Sequence, residues 1–468
     1  MPRPSQILLN KFPFTATSGQ ELLFRSMDDF LEEENEKSVF IIKGYAGTGK
    51  TTVISTLVST LPLFNMKFVL LAPTGRAAKV MSSYSKRMAF TVHKKIYKQV
   101  GEQGEGPAFK MQSNYAKNTI FIVDEASMIN EERSFGGTGL LTDLFSYVFS
   151  DLSNKLILVG DDAQLPPVGQ ELSPALEKGY LEANFHASVR QITLTEVMRQ
   201  ETDSGILFNA TKLRNELSSK SAPVIGFETK GHKDIFRMTG EKMEEGLRYA
   251  YDNYGVENTI IICRSNKLAN NYNQYIRARI HFYESELEAG EILMIVRNNY
   301  LHAPDDVAGN FLANGDFVEV MKIVSFEEMH GFRFATLRLR MVDYPSESAF
   351  DAKVILDTLY TETPALSEEQ NRQLYESVML DYQDLNTVKA RKEAMKRDPY
   401  LNALQVKFAY ALTCHKSQGG QWNAVFVDQG YLKDDNIDKE YIRWLYTAST
   451  RATDQLFLVN FNKKMYVS

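Results

Sequence analysis

Short apolar runs, each closed by a polar or glycine-rich turn, recur early in the chain at 40–43, 68–72, 119–123 and 156–159, with stretches of helical periodicity between them. This alternation predicts buried parallel strands joined by crossover helices, with helices on both faces of the sheet and ligand sites at the carboxyl ends of the strands. The same pattern returns at 259–263, 424–427 and 456–459, which predicts a second α/β domain. Between the parts of that domain the rhythm changes. Segments 291–297, 316–323, 333–342 and 353–359 read as strands without long helices between them, and a small antiparallel barrel fits them best. Ser367 with Gln370 three residues on makes a capping box, opening a helical stretch that runs towards Arg397. A shorter interruption at 97–118 contains Gly101, Gly104, Gly106 and Pro107, which break any long element.

A chain of 468 residues is too long for one ordinary core and fits about two to four domains. With 44% hydrophobic and 24% charged residues, the composition is that of a globular protein. No apolar run reaches the ~18 residues of a membrane span, and the opening MPRPSQILLNKF lacks the apolar stretch of a signal peptide. The expectation is a cytoplasmic protein with no membrane contact. Cys263 and Cys414 sit in apolar runs away from any metal-ligand spacing and read as buried thiols. A net charge of −6 argues against a uniformly basic nucleic-acid coat, yet leaves room for a local basic channel.

Candidate chemistry begins with GYAGTGKT at 44–51, which follows an apolar run and opens a helix-forming stretch. Glycines at 44, 47 and 49 let the backbone N–H groups of Gly44, Ala46, Gly47, Thr48 and Gly49 converge on phosphates, and the helix start through Thr52 adds its positive dipole end. Lys50 is then placed to reach the β- and γ-phosphates, and the Thr51 hydroxyl to ligate Mg²⁺. ATP and Mg²⁺ are the expected ligands. The apolar run at 120–123 ends in two carboxylates, Asp124 to hold Mg²⁺ through water and Glu125 to orient or deprotonate the attacking water. Gln164, in GDDAQLPPVG, is an uncharged amide suited to sensing a γ-phosphate, with stiff Pro166 and Pro167 to pass the signal on.

The ordered strings GYAGTGKT, APTGRAAK (72–79), TVHKKI (91–96), VDEASM (123–128), GDDAQLPPVG (160–169), LTEVMRQ (194–200), ALTCHKSQGGQW (411–422) and YTASTRA (446–452) resemble the helicase motifs of superfamily 1. Within it the chain is most similar to the compact RecD/Dda type, superfamily 1B, which includes the petite integration frequency helicases. The resemblance implies an α/β fold of two RecA-like P-loop NTPase motor domains, with a small SH3-like β-barrel inserted in the second and a short insertion in the first. The expected division is 1–185 for the first motor domain, with its insertion at 97–118, then 186–285 and 400–468 for the second, and 286–399 for the barrel and helical segment. The implied activity is ATP-dependent translocation 5′ to 3′ on single-stranded DNA with unwinding of duplex, by a chain acting as a monomer at single-strand/duplex junctions.

The same resemblance implies site roles. Arg199 and Arg451 match two arginines donated to the γ-phosphate, Gln20 matches a glutamine that reads adenine, and Gly419 with Gln418 falls at the joint between nucleotide and strand. Pro73, Thr74, Arg76, His93 and Pro167 in the first domain, with Thr413, His415, Lys416 and Ser417 in the second, match positions that face the strand. Taken alone, His93 and His415 read first as core histidines. Asn314-Gly315-Asp316 resembles a recurring family string, although the tripeptide is also a common turn. A duplex-splitting pin is implied within 97–118, where Tyr97, Phe109 and Tyr115 are the candidate stacking residues and a plain surface loop is the competing reading. Two further readings stay open: an enzyme of the same fold acting on RNA, since phosphate and stacking contacts do not distinguish the 2′-OH, and a nucleotide-gated remodeller of nucleoprotein that does not unwind.

Overall fold

The structure, a computed structural model, describes residues 3–33, 37–100, 108–131, 138–198, 203–219, 223–299, 312–344, 347–431 and 437–467. Its strands in chain order are β1 (Ser38–Gly44), β2 (Lys67–Ala72), β3 (Ala89–Thr91), β4 (Tyr97–Val100), β5 (Ala108–Met111), β6 (Thr119–Val123), β7 (Lys155–Gly160) and β8 (Ser188–Leu194). There follow β9 (Ile235–Met238), β10 (Thr259–Cys263), β11 (Ile292–Ile295), β12 (Phe317–Met329), β13 (Phe332–Met341), β14 (Phe350–Ile355), β15 (Leu404–Phe408), β16 (Ala411–Thr413), β17 (Trp422–Asp428) and β18 (Ala452–Val459).

The first sheet is parallel with order β3-β2-β6-β7-β1-β8. Its central strands are apolar at successive positions because helices cover both faces, and side chains alternate between them. Val39 and Ile41 of β1 therefore join one core cluster, while Phe40 and Ile42 join the other. The phosphate loop leaves the carboxyl end of β1, and Asp124 follows that of β6.

A second parallel sheet has order β16-β10-β17-β18-β9 and the same two-sided alternation, with Ile261 and Phe426 on one face and Ile260 and Val425 on the other. Strands β11 to β15 close into a barrel whose interior, including Leu293, Val318 and Leu337, is continuous with one face of that sheet. Burial of each such side chain stabilises by about 1.5–3 kcal/mol, so barrel and second sheet share one core. Among the described residues no helix is long and apolar enough to cross a membrane.

Two expected boundaries differ. Residues 188–194, assigned to the second domain, form β8 and pair with β1 at the edge of the first sheet. Residues 404–408, expected in the second motor domain, form β15 and close the barrel against β11 and β14. Neither segment is an unbroken apolar run, SVRQITL and LQVKF both carrying polar residues, and neither is among the segments read as strands; each is fixed by partners far away in sequence. The insertion at 97–118 contains a short hairpin of β4 and β5, with residues 101–107 outside the described residues. Tyr97 is buried and donates its hydroxyl to Asp143 Oδ2 at 2.6 Å, so it packs in the core and does not face a fork, whereas Tyr115 is 89% exposed. The capping box forms as read, with Ser367 and Gln370 opening the helix Glu368–Asp381.

Candidate nucleotide site and strand channel

Gly49 adopts φ +80° at the start of the helix Lys50–Thr60, and a Cβ there would meet Met198 Sδ at 2.6 Å and Gln20 Nε2 at 2.8 Å. Only glycine fits this turn, which aims the loop amides inward. Lys50 Nζ donates to the carbonyls of Gly44 (2.7 Å) and Tyr45 (2.9 Å), across the mouth of the loop. Gln20 is fully buried behind it. Its amide oxygen accepts from Thr17 N at 3.0 Å and its Nε2 donates to Thr48 O at 3.0 Å, so the side chain braces the loop from behind. Phe14, from the segment just before, lines the cavity instead.

That cavity, of about 550 Å³, gathers Lys50, Thr51, Asp124, Glu125 and Gln164 from the first motor domain and Arg451 from the second. Burial, then the neighbouring Glu125 carboxylate, pushes Asp124 up to about 6. Its Oδ2 accepts from the Tyr84 hydroxyl at 2.7 Å. Glu125 sits at φ +52°, an uncommon backbone state for a side chain of this size, which swings its carboxylate to 3.7 Å from Arg451 Nη1. Arg451 is itself buried and held by the carbonyls of Thr447 (3.1 Å) and Gly420 (3.3 Å). Glu125 Oε2 and Gln164 Oε1 are buried without a hydrogen-bond partner among the described residues. Such orphaned acceptors at a cavity wall suit a bound water and its ligand. A triphosphate and Mg²⁺ fit this donor set, with Thr51 and Asp124 as the oxygen ligands. Arg199 lies outside the described residues; Met198, just before it, donates its N–H to Gly47 O at 3.0 Å.

A second cavity, of about 160 Å³, brings together Thr74, Arg76, His415 and Lys416, joined by Asn314 and Phe317 of the barrel. Arg76 is layered against the rings of Trp422 (4.3 Å) and Phe317 (5.0 Å), and burial lowers its pKa. Lys416 is pushed down to about 8 by burial, with Nζ 2.5 Å from Asn314 Oδ1. Pro73, His93, Pro167 and Thr413 do not line this cavity. His93 is held down to about 4 by burial, so its ring is neutral at ordinary pH. Ser417 is buried and spends its hydroxyl on Cys414 O at 2.8 Å, which makes it a turn residue and not a strand contact. Both cysteines are free and buried.

The two cavities are joined through two segments. Helix Gly75–Ser85 of the first motor domain has Thr74 and Arg76 in the second cavity and Ala77, Val80 and Tyr84 in the first. Residues 415–421 of the second motor domain likewise place His415, Lys416 and Gln418 in one and Gly419 and Gln421 in the other. Gly419, at φ +73°, lies where a Cβ would be 2.8 Å from Ala77 Cβ, so the segments touch. Sequence reading passed over Asn314 as a turn and Phe317 within a strand, and did not single out Tyr84. Only for Asn314 was a signal quoted, the family string around it.

Two parallel sheets with a phosphate loop on one and an arginine supplied by the other define a P-loop NTPase with tandem motor domains. A family model described as an AAA domain matches residues 27–223, and one described as a UvrD-like helicase C-terminal domain matches residues 408–459. These two matches, with the relatives that follow, support a superfamily 1B helicase of the Pif1/RecD-like type. It is 27% identical to the ATP-dependent DNA helicase dda of Enterobacteria phage T4 over 60% of each chain. It is 24% identical to the ATP-dependent RecD2 DNA helicase of Deinococcus radiodurans, over 89% of this chain and 46% of that one. An uncharacterized protein of Acanthamoeba polyphaga mimivirus is 22% identical over 93% of this chain and 98% of its own. The chain thus spans nearly all of the viral relative and less than two thirds of the two helicases. The crystal structure of Pif1 helicase from Bacteroides in complex with ADP-AlF3 and ssDNA overlays 97% of this chain and 95% of its own, at a TM-score of 0.47 and 16% identity.

Proposed function

We propose that the protein is an ATP-dependent DNA helicase that translocates 5′ to 3′ on single-stranded DNA and opens duplex at the junction. The observation that carries this reading is the pair of segments, one from each motor domain, that run from the nucleotide cavity into the cavity lined by Arg76, His415 and Lys416. A domain movement driven at one end displaces strand contacts at the other. Lys50 and the loop amides hold the phosphates, Glu125 orients the attacking water and takes its proton, and Gln164 positions the γ-phosphate. Arg451 places its charge where negative charge grows in the transition state, and Arg199 is read as its partner. Mg²⁺, held by Thr51 and Asp124, would neutralise charge on the phosphoryl oxygens. Arg76, Lys416, Thr74 and His415 grip the backbone and bases, and disrupting a base-pair step costs about 1.4 kcal/mol, within reach of one hydrolysis event. Both walls of the nucleotide cavity come from one chain, which supports action as a monomer.

The test is ATP-dependent unwinding of matched duplexes with a 5′ or a 3′ single-stranded tail, with Lys50→Ala as control. Unwinding from the 5′ tail alone, lost in Lys50→Ala, is expected. Unwinding only from the 3′ tail refutes the polarity; ATP turnover without strand separation favours a nucleoprotein remodeller, and stronger stimulation by RNA than by matched DNA favours the RNA enzyme.

A further inference from the structure

One buried hydroxyl joins the phosphate loop to the second motor domain independently of the arginines. Helix Lys439–Ser449 lays Arg443, Tyr446 and Thr447 along one face, as the i, i+3, i+4 spacing requires, against residues 161–165 of the first domain. Thr447 Oγ1 accepts from Leu165 N at 2.8 Å, and Arg443 Nη1 donates to the carbonyls of Asp162 and Gln164. Tyr446 reaches further. Its hydroxyl donates to Asp161 Oδ2 at 2.6 Å and accepts the N–H of Ala46, inside the phosphate loop, at 2.8 Å. Asp161 Oδ1 in turn accepts from Ala163 N at 2.9 Å and shapes the turn that carries Gln164.

This single contact therefore links three parts of the site: a loop amide, the turn that presents Gln164, and a helix of the second domain that leads directly to Arg451. The phenol is 1% exposed, and burial with the Asp161 carboxylate keeps it protonated, so it has one hydrogen to give and one lone-pair direction aimed at Ala46 N–H. A phosphate oxygen seeks the same N–H.

We propose that the Tyr446 hydroxyl is a positioning contact through which the second motor domain reads phosphate occupancy of the loop, a triphosphate taking the Ala46 N–H from Tyr446 and thereby resetting helix Lys439–Ser449 and the strand grip of its domain. This rests on the helicase reading and adds a sensor to it. Tyr446 does not touch the reacting atoms; it transmits whether they are present.

The experiment measures the affinity of a single-stranded DNA oligonucleotide with and without a saturating non-hydrolysable ATP analogue and Mg²⁺, for the natural chain, Tyr446→Phe and Thr447→Val. For the natural chain the two affinities should differ by about tenfold or more, and in Tyr446→Phe by less than about threefold, with the analogue still bound in a direct fluorescence assay. Thr447→Val removes a neighbouring contact of the same helix and should keep most of the difference. A natural-chain ratio of one sinks the helicase reading itself. A ratio unchanged by Tyr446→Phe, or lost equally in Thr447→Val, overturns the role of this hydroxyl. Should Tyr446→Phe melt early, Asp161→Asn weakens the same contact from the other side and is expected to narrow the ratio likewise; an unchanged ratio there also refutes the proposal.

Discussion

At Glu125 two demands meet: the carboxylate must stand free enough to hold water, yet it lies 3.7 Å from the Arg451 guanidinium and beside Asp124. The φ of +52° resolves them by turning the residue out of the strand direction, so Oε1 faces the arginine while Oε2 is left without a hydrogen-bond partner among the described residues. Glu125→Gln keeps size and shape but cannot take a proton, and should lower ATP turnover by about 10²–10⁴-fold with nucleotide still bound. Steady-state turnover beside a nucleotide-binding titration checks this, and normal turnover would move the base elsewhere. His93 tells a different story. Burial holds its folded pKa at about 4 against an ordinary 6.5, so the unfolded chain takes up a proton that the folded chain refuses. The stability that follows is complete above pH ~6.5 and is lost as pH falls towards 4, by on the order of 2–3 kcal/mol. Urea melts of the natural chain and His93→Gln at pH 7 and pH 5 should show a shallower acid loss in the variant; parallel losses would clear His93 of the effect.

The elements that matter most are the helix Gly75–Ser85 and the segment opposite it. Thr74 caps that helix, accepting from Ala77 N at 3.2 Å, and also borders the second cavity. Thr74→Ala should cost about 1 kcal/mol of stability and, if the proposed strand contact is made by the same hydroxyl, weaken oligonucleotide binding with it. Loss of stability alone, in a melt compared with an oligonucleotide titration, would assign Thr74 to capping only. Ser417, by contrast, was legible only as part of a motif string. The string fixes its place in the chain, but whether a short polar residue at a helix start faces solvent or its own turn depends on the packing around it. For the same reason Gln20 was matched only to a glutamine that reads adenine, while the capping box with Thr17 and the bond to Thr48 O, which occupy its amide, appear only in the folded structure.

Across the whole molecule the barrel touches the first motor domain through charge. Lys94, before the insertion, and Asp316, at the start of the barrel strand β12, pair at 3.8 Å with both side chains almost fully buried, and Lys79 pairs with Asp343 at 3.4 Å. Breaking a buried pair from one side leaves the other charge stranded, so Asp316→Ala should destabilise by about 3–5 kcal/mol, while Lys94→Met with Asp316→Leu should sit within about 1 kcal/mol of the natural chain. Chemical denaturation of the single and double variants checks this, and equal losses in both would show that the packing, not the charge, matters. By itself the sequence determined the strand and helix rhythm, the phosphate loop with Lys50 and Thr51, the carboxylates Asp124 and Glu125, and the order of motifs that leads to Arg451, because each is written in local spacing. Tertiary structure decided which sheet takes β8, that β15 closes the barrel, that Asp316 meets Lys94, and that Tyr446 reaches Ala46. Those depend on residues far apart in the chain, 400 positions for Ala46 and Tyr446, being brought into contact, and no period or motif along a chain encodes a distance across a folded core.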